Sequence, residues 1–259
     1  MVKGLYTAYT GMINEQNRMD IMTNNLANAS TVGYKKEGST SQSFDDVLTV
    51  KIKDQSVGMR NVQRLGVKNP GVKIGENYTD YSQGSFRITG NTYDLALSGE
   101  GFFAIEFTNK AGETDTKYTR AGQFTLNKDG YLVTEEGDYV LDTQNRRIRL
   151  NTLIDSSITD DGTIYQNGRA VAKIQVTDFE DYDYLEKYGE TYYQPIQGAK
   201  TIAAKAQVKS GYLEMANVQI VSEMVNLISI TRAYESNQKV VQTIDDTLDV
   251  AVNQIGRVQ

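Results

Sequence analysis

Apolar positions at the start of the chain recur with a helical period. Leu5, Ala8, Met12, Met19, Met22 and Leu26, with Glu15 between them, are separated by alternating steps of three and four. This is the heptad stripe of a helix that lays one narrow face on a partner. Asn24, Asn25 and Asn28 weaken helix preference and Gly33 supplies a permissive turn, so the helix is predicted to stop there. At the far end Val218, Val221, Val225 and Ile228 step by three, four and three. Val241, Ile244, Leu248, Val252 and Ile255 step by three, four, four and three, the seam shifting between the runs through Ile230 and Tyr234. The spacing predicts one long helix, from about residue 215 to about residue 255, with Asn217 as its N-cap.

Between these ends the pattern changes to short β segments. Ser85–Ile88 alternates, Tyr93–Leu97 alternates loosely, and Phe102-Phe103-Ala104-Ile105-Glu106-Phe107 is a strand by residue type. Turn signals follow at Asn127–Gly130, Glu135–Asp138, Asp160–Gly162 and Gln166–Gly168. Asp-Gly and Asn-Gly tolerate the positive φ that tight hairpins demand. Strands are predicted at 131–133, 139–141 and 171–176.

Composition supports three zones. Of the 22 Gly, 17 lie between residues 37 and 210, as do all seven Phe and both Pro. The 259 residues hold no Cys, His or Trp and carry a net charge of −6. Without Cys there is no disulfide or thiolate chemistry, and without His the commonest general base and metal ligand is missing. No catalytic, cofactor or metal site is expected. The acidic balance argues against nucleic acid as a partner, no small-molecule substrate is expected, and no apolar run reaches the roughly 18 residues needed to span a bilayer. The N-terminus has no apolar h-region or cleavage site, so export without a cleaved signal peptide is expected. Residues 1–36 carry four Lys or Arg against two Asp or Glu, and residues 209–259 carry four against six, a mild complementarity between the ends.

Two motif-like stretches do not hold up. Gly99-Glu100-Gly101 starts like a dinucleotide loop, but Ala104 stands where a third Gly belongs and a strand follows. Asn127-Lys128-Asp129-Gly130 has its Gly at position four, not the sixth position of a calcium loop. The acidic and aromatic run Asp178–Glu186 would suit a glycan-binding or adhesive β module, which is the alternative function.

The run Leu5-Tyr6-Thr7-Ala8-Tyr9-Thr10-Gly11-Met12, followed by Thr23-Asn24-Asn25-Leu26-Ala27-Asn28-Ala29-Ser30-Thr31-Val32-Gly33-Tyr34-Lys35, resembles the signature of bacterial flagellar rod and hook proteins. Gly99-Glu100-Gly101-Phe102-Phe103 and Tyr118-Thr119-Arg120-Ala121-Gly122-Gln123-Phe124 are similar to the family's middle region. Gly211 through Val218, Glu223 through Ile228 and Arg232 through Asn237 are similar to its C-terminal helix. Ser30 and Ala121 depart from the usual Asn and acidic residue. The length suits an intermediate rod component of the proximal or distal type, and the ending Val252–Val258 leans toward the proximal.

The resemblance implies a structural subunit of the flagellar basal-body rod, a homo-oligomer in a helical assembly. It implies contacts with other rod and hook proteins and with the flagellar type III export apparatus. The expected fold is mixed α and β. N- and C-terminal helices form a coiled-coil-like assembly domain (1–36 and 209–259), joined by an extended arm (37–90) to a central, mainly antiparallel β domain (91–208). The stripe residues above, with Asn24, Asn25 and Asn28, are the expected assembly interface.

Overall fold

A computed structural model describes residues 2–52, 62–109 and 112–255. The chain is mixed α and β, with a helix at each end and an antiparallel β domain between. It divides into two compact units. A helical unit gathers residues 1–26, 37–80 and 220–259, and a β unit gathers 27–36 and 81–219.

In the helical unit, α1 (Val2–Ala27) is followed by β1 (Glu37–Ser43), β2 (Val47–Ile52), β3 (Val62–Lys68) and β4 (Val72–Thr79). The strands nest as two antiparallel pairs. β1 runs against β4 from Glu37↔Thr79 to Ser43↔Val72, and β2 against β3 from Val47↔Lys68 to Ile52↔Val62. Side-chain amides tie the strands to α1. Asn25 Nδ2 donates to Glu37 O (2.7 Å) and Asn25 Oδ1 accepts from Glu37 N (2.9 Å), so one buried amide replaces a missing strand neighbour. Asn14, also buried, exchanges hydrogen bonds with Ser41 Oγ at 3.2 Å.

The C-terminal helix α2 spans Ile220–Val250 and ends in a π-helical turn, Ala251–Ile255. It starts later than the sequence predicts, and Asn217 does not cap it. The Asn217 side chain accepts from Lys36 N at 2.8 Å and donates to Ser82 O at 3.2 Å within the β unit. Val218 therefore lies before the helix.

In the β unit, β5 (Phe86–Ile88) and β6 (Leu95–Ser98) wait for partners from the end of the unit. β7 (Phe102–Thr108) and β8 (Thr114–Thr119) form a hairpin, and β9 (Phe124–Leu126), β10 (Leu132–Thr134) and β11 (Tyr139–Val140) form a meander. β12 (Ser156–Ile158), β13 (Thr163–Gln166) and β14 (Arg169–Lys173) make a separate three-stranded sheet. β15 (Val176–Phe179), β16 (Leu185–Tyr188), β17 (Tyr192–Pro195) and β18 (Thr201–Ala203) return to the main sheet. Its order is β16-β17-β8-β7-β11-β10-β9, with β15 also paired to β7 and β18. β19 (Gln207–Ser210) pairs with β6, and β20 (Tyr212–Glu214) with β5.

β7 shows why its sequence is a continuous apolar run. Phe103 packs into one core with Leu95, Phe124, Leu132 and Ile148, while Phe102 and Ala104 pack into a second with Tyr118, Phe179 and Tyr193. A strand covered on both faces has no polar side to alternate with. The four predicted turns are hairpin connections. Gly130 N donates to Asn127 O between β9 and β10, Gly137 N to Thr134 O between β10 and β11, and Gly162 N to Thr159 O between β12 and β13. Asn167 and Gly168 (φ 52° and 72°) form the two-residue loop from β13 to β14, flanked by the Gln166↔Arg169 pair.

Candidate functional site

On the helical unit, the expected interface residues fall into two groups. Ala8 is buried and Leu5, Met12, Met19, Met22 and Leu26 are half-buried, so the α1 stripe faces its own unit. Asn25 is buried in the lock with Glu37, whereas Asn24 is exposed. α1 approaches α2 at Gly11, where a Cβ would stand 2.9 Å from Asn237 Nδ2, and at Gly4, where it would stand 3.5 Å from Ile244 Cδ1. The opposed numbering makes the two helices antiparallel.

The inward row of α2 is Glu223, Leu227, Ile230, Tyr234, Asn237, Val241, Ile244 and Leu248. Glu223 and Ile230 are buried and the rest half-buried, at steps of four and three throughout. The structure thus corrects the predicted seam, since no shift occurs near Ile230. The row that looked most regular, Val221, Val225 and Ile228, is exposed at 78%, 60% and 51%, and Val252 is exposed as well. The physical reason is that a carboxylate, a phenol and an amide (Glu223, Tyr234 and Asn237) occupy positions in the inward row and hide its apolar period. Val218 is half-buried, and the side chain of Ile255 lies outside the described residues. On α1 the residues Tyr6, Tyr9 and Ile13 are also exposed, three and four apart, making a second uncovered apolar row. The sequence reading missed this row. Its signal was present as two aromatics offset by one from the predicted stripe.

On the β unit, residues 28–36 are built into a clamp. Asn28 O accepts from Thr31 N, and its Oδ1 from Thr31 Oγ1, both at 3.1 Å, closing the turn after α1. Val32 bridges Met215, and Gly33 N donates to Glu214 O at 2.8 Å. Gly33 sits at φ 71°, and a Cβ there would stand 2.3 Å from the backbone nitrogen of Ala121.

The next side chains converge on Glu214, which is 1% exposed. Lys35 Nζ donates to its Oε1 at 2.7 Å and to Ser82 O at 2.7 Å. Gly84 N donates to the same Oε1 at 3.0 Å. Arg120 Nη1 donates to Oε2 at 3.1 Å and Nη2 to Gly99 O at 2.7 Å. Lys35 and Arg120 are 1% and 3% exposed. Two buried cations and one buried carboxylate therefore weld five stretches of chain: Lys35, Ser82–Gly84, Gly99, Arg120 and Glu214. The carboxylate of Glu214 pairs with both cations, one on each oxygen. Sequence reasoning quoted these residues inside its motifs and gave them no role.

The start of the acidic and aromatic stretch packs into the β unit, while Glu180, Asp181, Asp183, Tyr184 and Glu186 are exposed. Asp178 Oδ1 accepts from Tyr182 OH (2.8 Å) and Phe179 N (2.9 Å), and the Tyr182 ring packs against Tyr81 and Phe102. Burial and the Asp178 hydrogen bond push the Tyr182 phenol well above its ordinary value.

Three family profiles match. One described as flagella basal body rod protein covers residues 5–35, one as flagellar hook protein FlgE/F/G D1 domain covers 96–166, and one as flagellar basal body rod FlgEFG protein C-terminal covers 209–255. The chain is 34% identical to the flagellar basal-body rod protein FlgG of Bacillus subtilis, over 98% of this chain and 99% of that protein. It is 32% identical to the flagellar basal-body rod protein FlgF of Caulobacter vibrioides and 31% identical to the flagellar hook-basal body complex protein FlhO of Bacillus subtilis, each over the full length of both chains.

Proposed function

Because this chain belongs to the flagellar basal-body rod family, and is therefore a structural component of bacterial motility and not an enzyme, we propose that it polymerises through its terminal helices. The observation that carries this reading is the pair of uncovered apolar rows: Val221, Val225 and Ile228 on α2, and Tyr6, Tyr9 and Ile13 on α1. Exposed apolar rows on a helix face mark candidate contact surfaces. The two rows differ in composition, Val221, Val225 and Ile228 all β-branched and Tyr6, Tyr9 and Ile13 led by two aromatics, so they suit a heterologous contact in which one copy offers α2 and the next offers α1. Heterologous contacts that do not close into a ring build a helical tube.

In this reading the terminal segments 1–36 and 209–259 form the assembly domain, and the β domain stands outside the tube. Neighbouring rod and hook proteins, which share the family's terminal regions, cap the tube at either end. Each subunit reaches its place through the flagellar type III export apparatus, and the assembled rod crosses the periplasm as a drive shaft. Helices of this kind gain much of their order from packing, so assembly and helix ordering are coupled.

The double variant Val225→Asp, Ile228→Asp tests the assembly contact. Both side chains are exposed, so the purified variant is expected to fold with unchanged β-rich circular dichroism and thermal unfolding. Two buried charges at an apolar contact are expected to reduce incorporation into basal bodies by tenfold or more, equivalent to at least about 1.4 kcal/mol. Incorporation at the unmodified level would refute assembly through this row.

A further inference from the structure

Tyr192 on β17 ties that strand to the turn between β10 and β11. Its hydroxyl donates to Glu136 Oε2, lies 2.8 Å from Asp138 Oδ2 and 3.2 Å from Thr134 Oγ1. A phenol has one proton to give and two lone pairs that accept. Once that proton is directed at Glu136, the contact with Asp138 is a bond only if the Asp138 carboxyl carries a proton and donates it. With both carboxylates ionised, two acceptor oxygens would face each other at 2.8 Å with nothing between them.

The surroundings favour retention of that proton. Burial raises the Asp138 carboxyl above its ordinary range, and the Glu136 charge adds to the effect. The Tyr192 hydroxyl, the Thr108 backbone and Lys117 oppose it. Lys117, on β8, is buried beneath aromatic rings, with Nζ 4.0 Å from the Phe107 centroid and 2.7 Å from the Tyr188 centroid. Burial draws its ammonium below the ordinary lysine value, with Asp115 and Asp138 resisting. Glu135 stands beside Glu136 in the turn. The Tyr192 phenol is itself pushed far above its ordinary value, by burial first and by Glu136 second, so it is not the group that gives up a proton.

We propose that Glu136 and Asp138 share a single proton through Tyr192, and that this proton is a pH-sensitive latch holding the β10–β11 turn against β17. Glu135 and Glu136 of the same turn line a cleft of about 300 Å³, together with Ser30, Thr31, Val32 and Arg87. Loss of the proton frees that turn. For an acid raised in the folded state, the stabilisation is complete below the ordinary carboxylate range and is lost as pH rises through the raised value. The latch is therefore closed in acid and weakened toward alkaline pH.

The test is a carbon-13 NMR titration of side-chain carboxyl carbons in the full chain, with Tyr192→Phe and the isosteric Asp138→Asn as variants. One carboxyl of the Glu136–Asp138 pair is expected to titrate above the ordinary carboxylate range. In Tyr192→Phe both are expected to change their titration midpoints. In Asp138→Asn, the raised carboxyl titration is expected to disappear, and the fall in melting temperature from acid to alkaline pH to shrink. Ordinary titration of both carboxyls, unmoved by Tyr192→Phe, would overturn the latch. A failure of Tyr192→Phe to fold leaves the Asp138→Asn arm to decide.

Discussion

Replacing Glu214 by Gln lowers the stability of the β unit by about 3–5 kcal/mol, the usual cost of leaving buried charges without their partner. The substitution keeps the shape and length of the side chain but removes the carboxylate charge that pairs with both Lys35 and Arg120, which are almost fully enclosed. Gln can still accept from Gly84 N and one cation, so the loss reports charge compensation and not packing. Lys35→Met acts in the opposite sense on the charge balance, because it leaves Arg120 and Glu214 as a matched pair. It loses the bond to Ser82 O and is expected to cost less than Glu214→Gln. Combined, the two substitutions should destabilise by less than the sum of their separate effects, since they share a partner. Urea unfolding followed by tyrosine fluorescence gives all three values, the chain having no Trp. Equal and additive losses would show that the carboxylate is not the hub of the cluster.

Gly33→Ala is the second large effect. Positive φ costs a non-glycine residue about 1–2 kcal/mol, and the added methyl would also lie 2.3 Å from Ala121 N and 2.5 Å from the Arg120 carbonyl carbon. Those are backbone atoms that no rotamer change can move, and forced overpacking adds about 1–3 kcal/mol. A total of about 2–5 kcal/mol is expected, felt at the strand contact between Val32 and Met215 and at the Glu214 cluster beside it. Gly168→Ala separates the two causes. Its φ of 72° is the same, but nothing lies within 4 Å of the added methyl. Only the conformational cost of about 1–2 kcal/mol is expected there. Thermal unfolding of the two variants side by side checks the difference, and equal losses would remove the role given to Ala121.

The parts of this fold that were legible in the sequence are those whose cause is local. Asn127–Gly130 and Asn167–Gly168 announce hairpins because the backbone there needs residues that tolerate positive φ, a requirement set within the turn itself. Phe102–Phe107 reads as a strand because burial on both faces requires an apolar run. The inward row of α2 was not legible. Glu223, Tyr234 and Asn237 occupy positions in it, so apolar periodicity favoured Val221, Val225 and Ile228, which the unit leaves uncovered. A stripe left exposed and a stripe packed into the chain's own unit look alike by spacing. The start of α2 was misplaced for a related reason, because Asn217 has the right chemistry for a cap but is engaged by Lys36 N and Ser82. The Glu214 cluster carries no local signal at all. Its acid stands 179 residues from Lys35 and 94 from Arg120, and only the folded strands bring them together.

The exposed row of α2 is best examined by single-cysteine protection, for which a chain without Cys is well suited. Val225→Cys and, as a reference on the β13–β14 loop, Asn167→Cys both place a thiol at an exposed position. A maleimide should label the two equally fast in the purified subunit. In isolated basal bodies, assembly through α2 predicts that position 225 becomes at least tenfold slower to label while position 167 stays reactive. Undiminished labelling of Val225→Cys in the assembled rod would contradict assembly through this face.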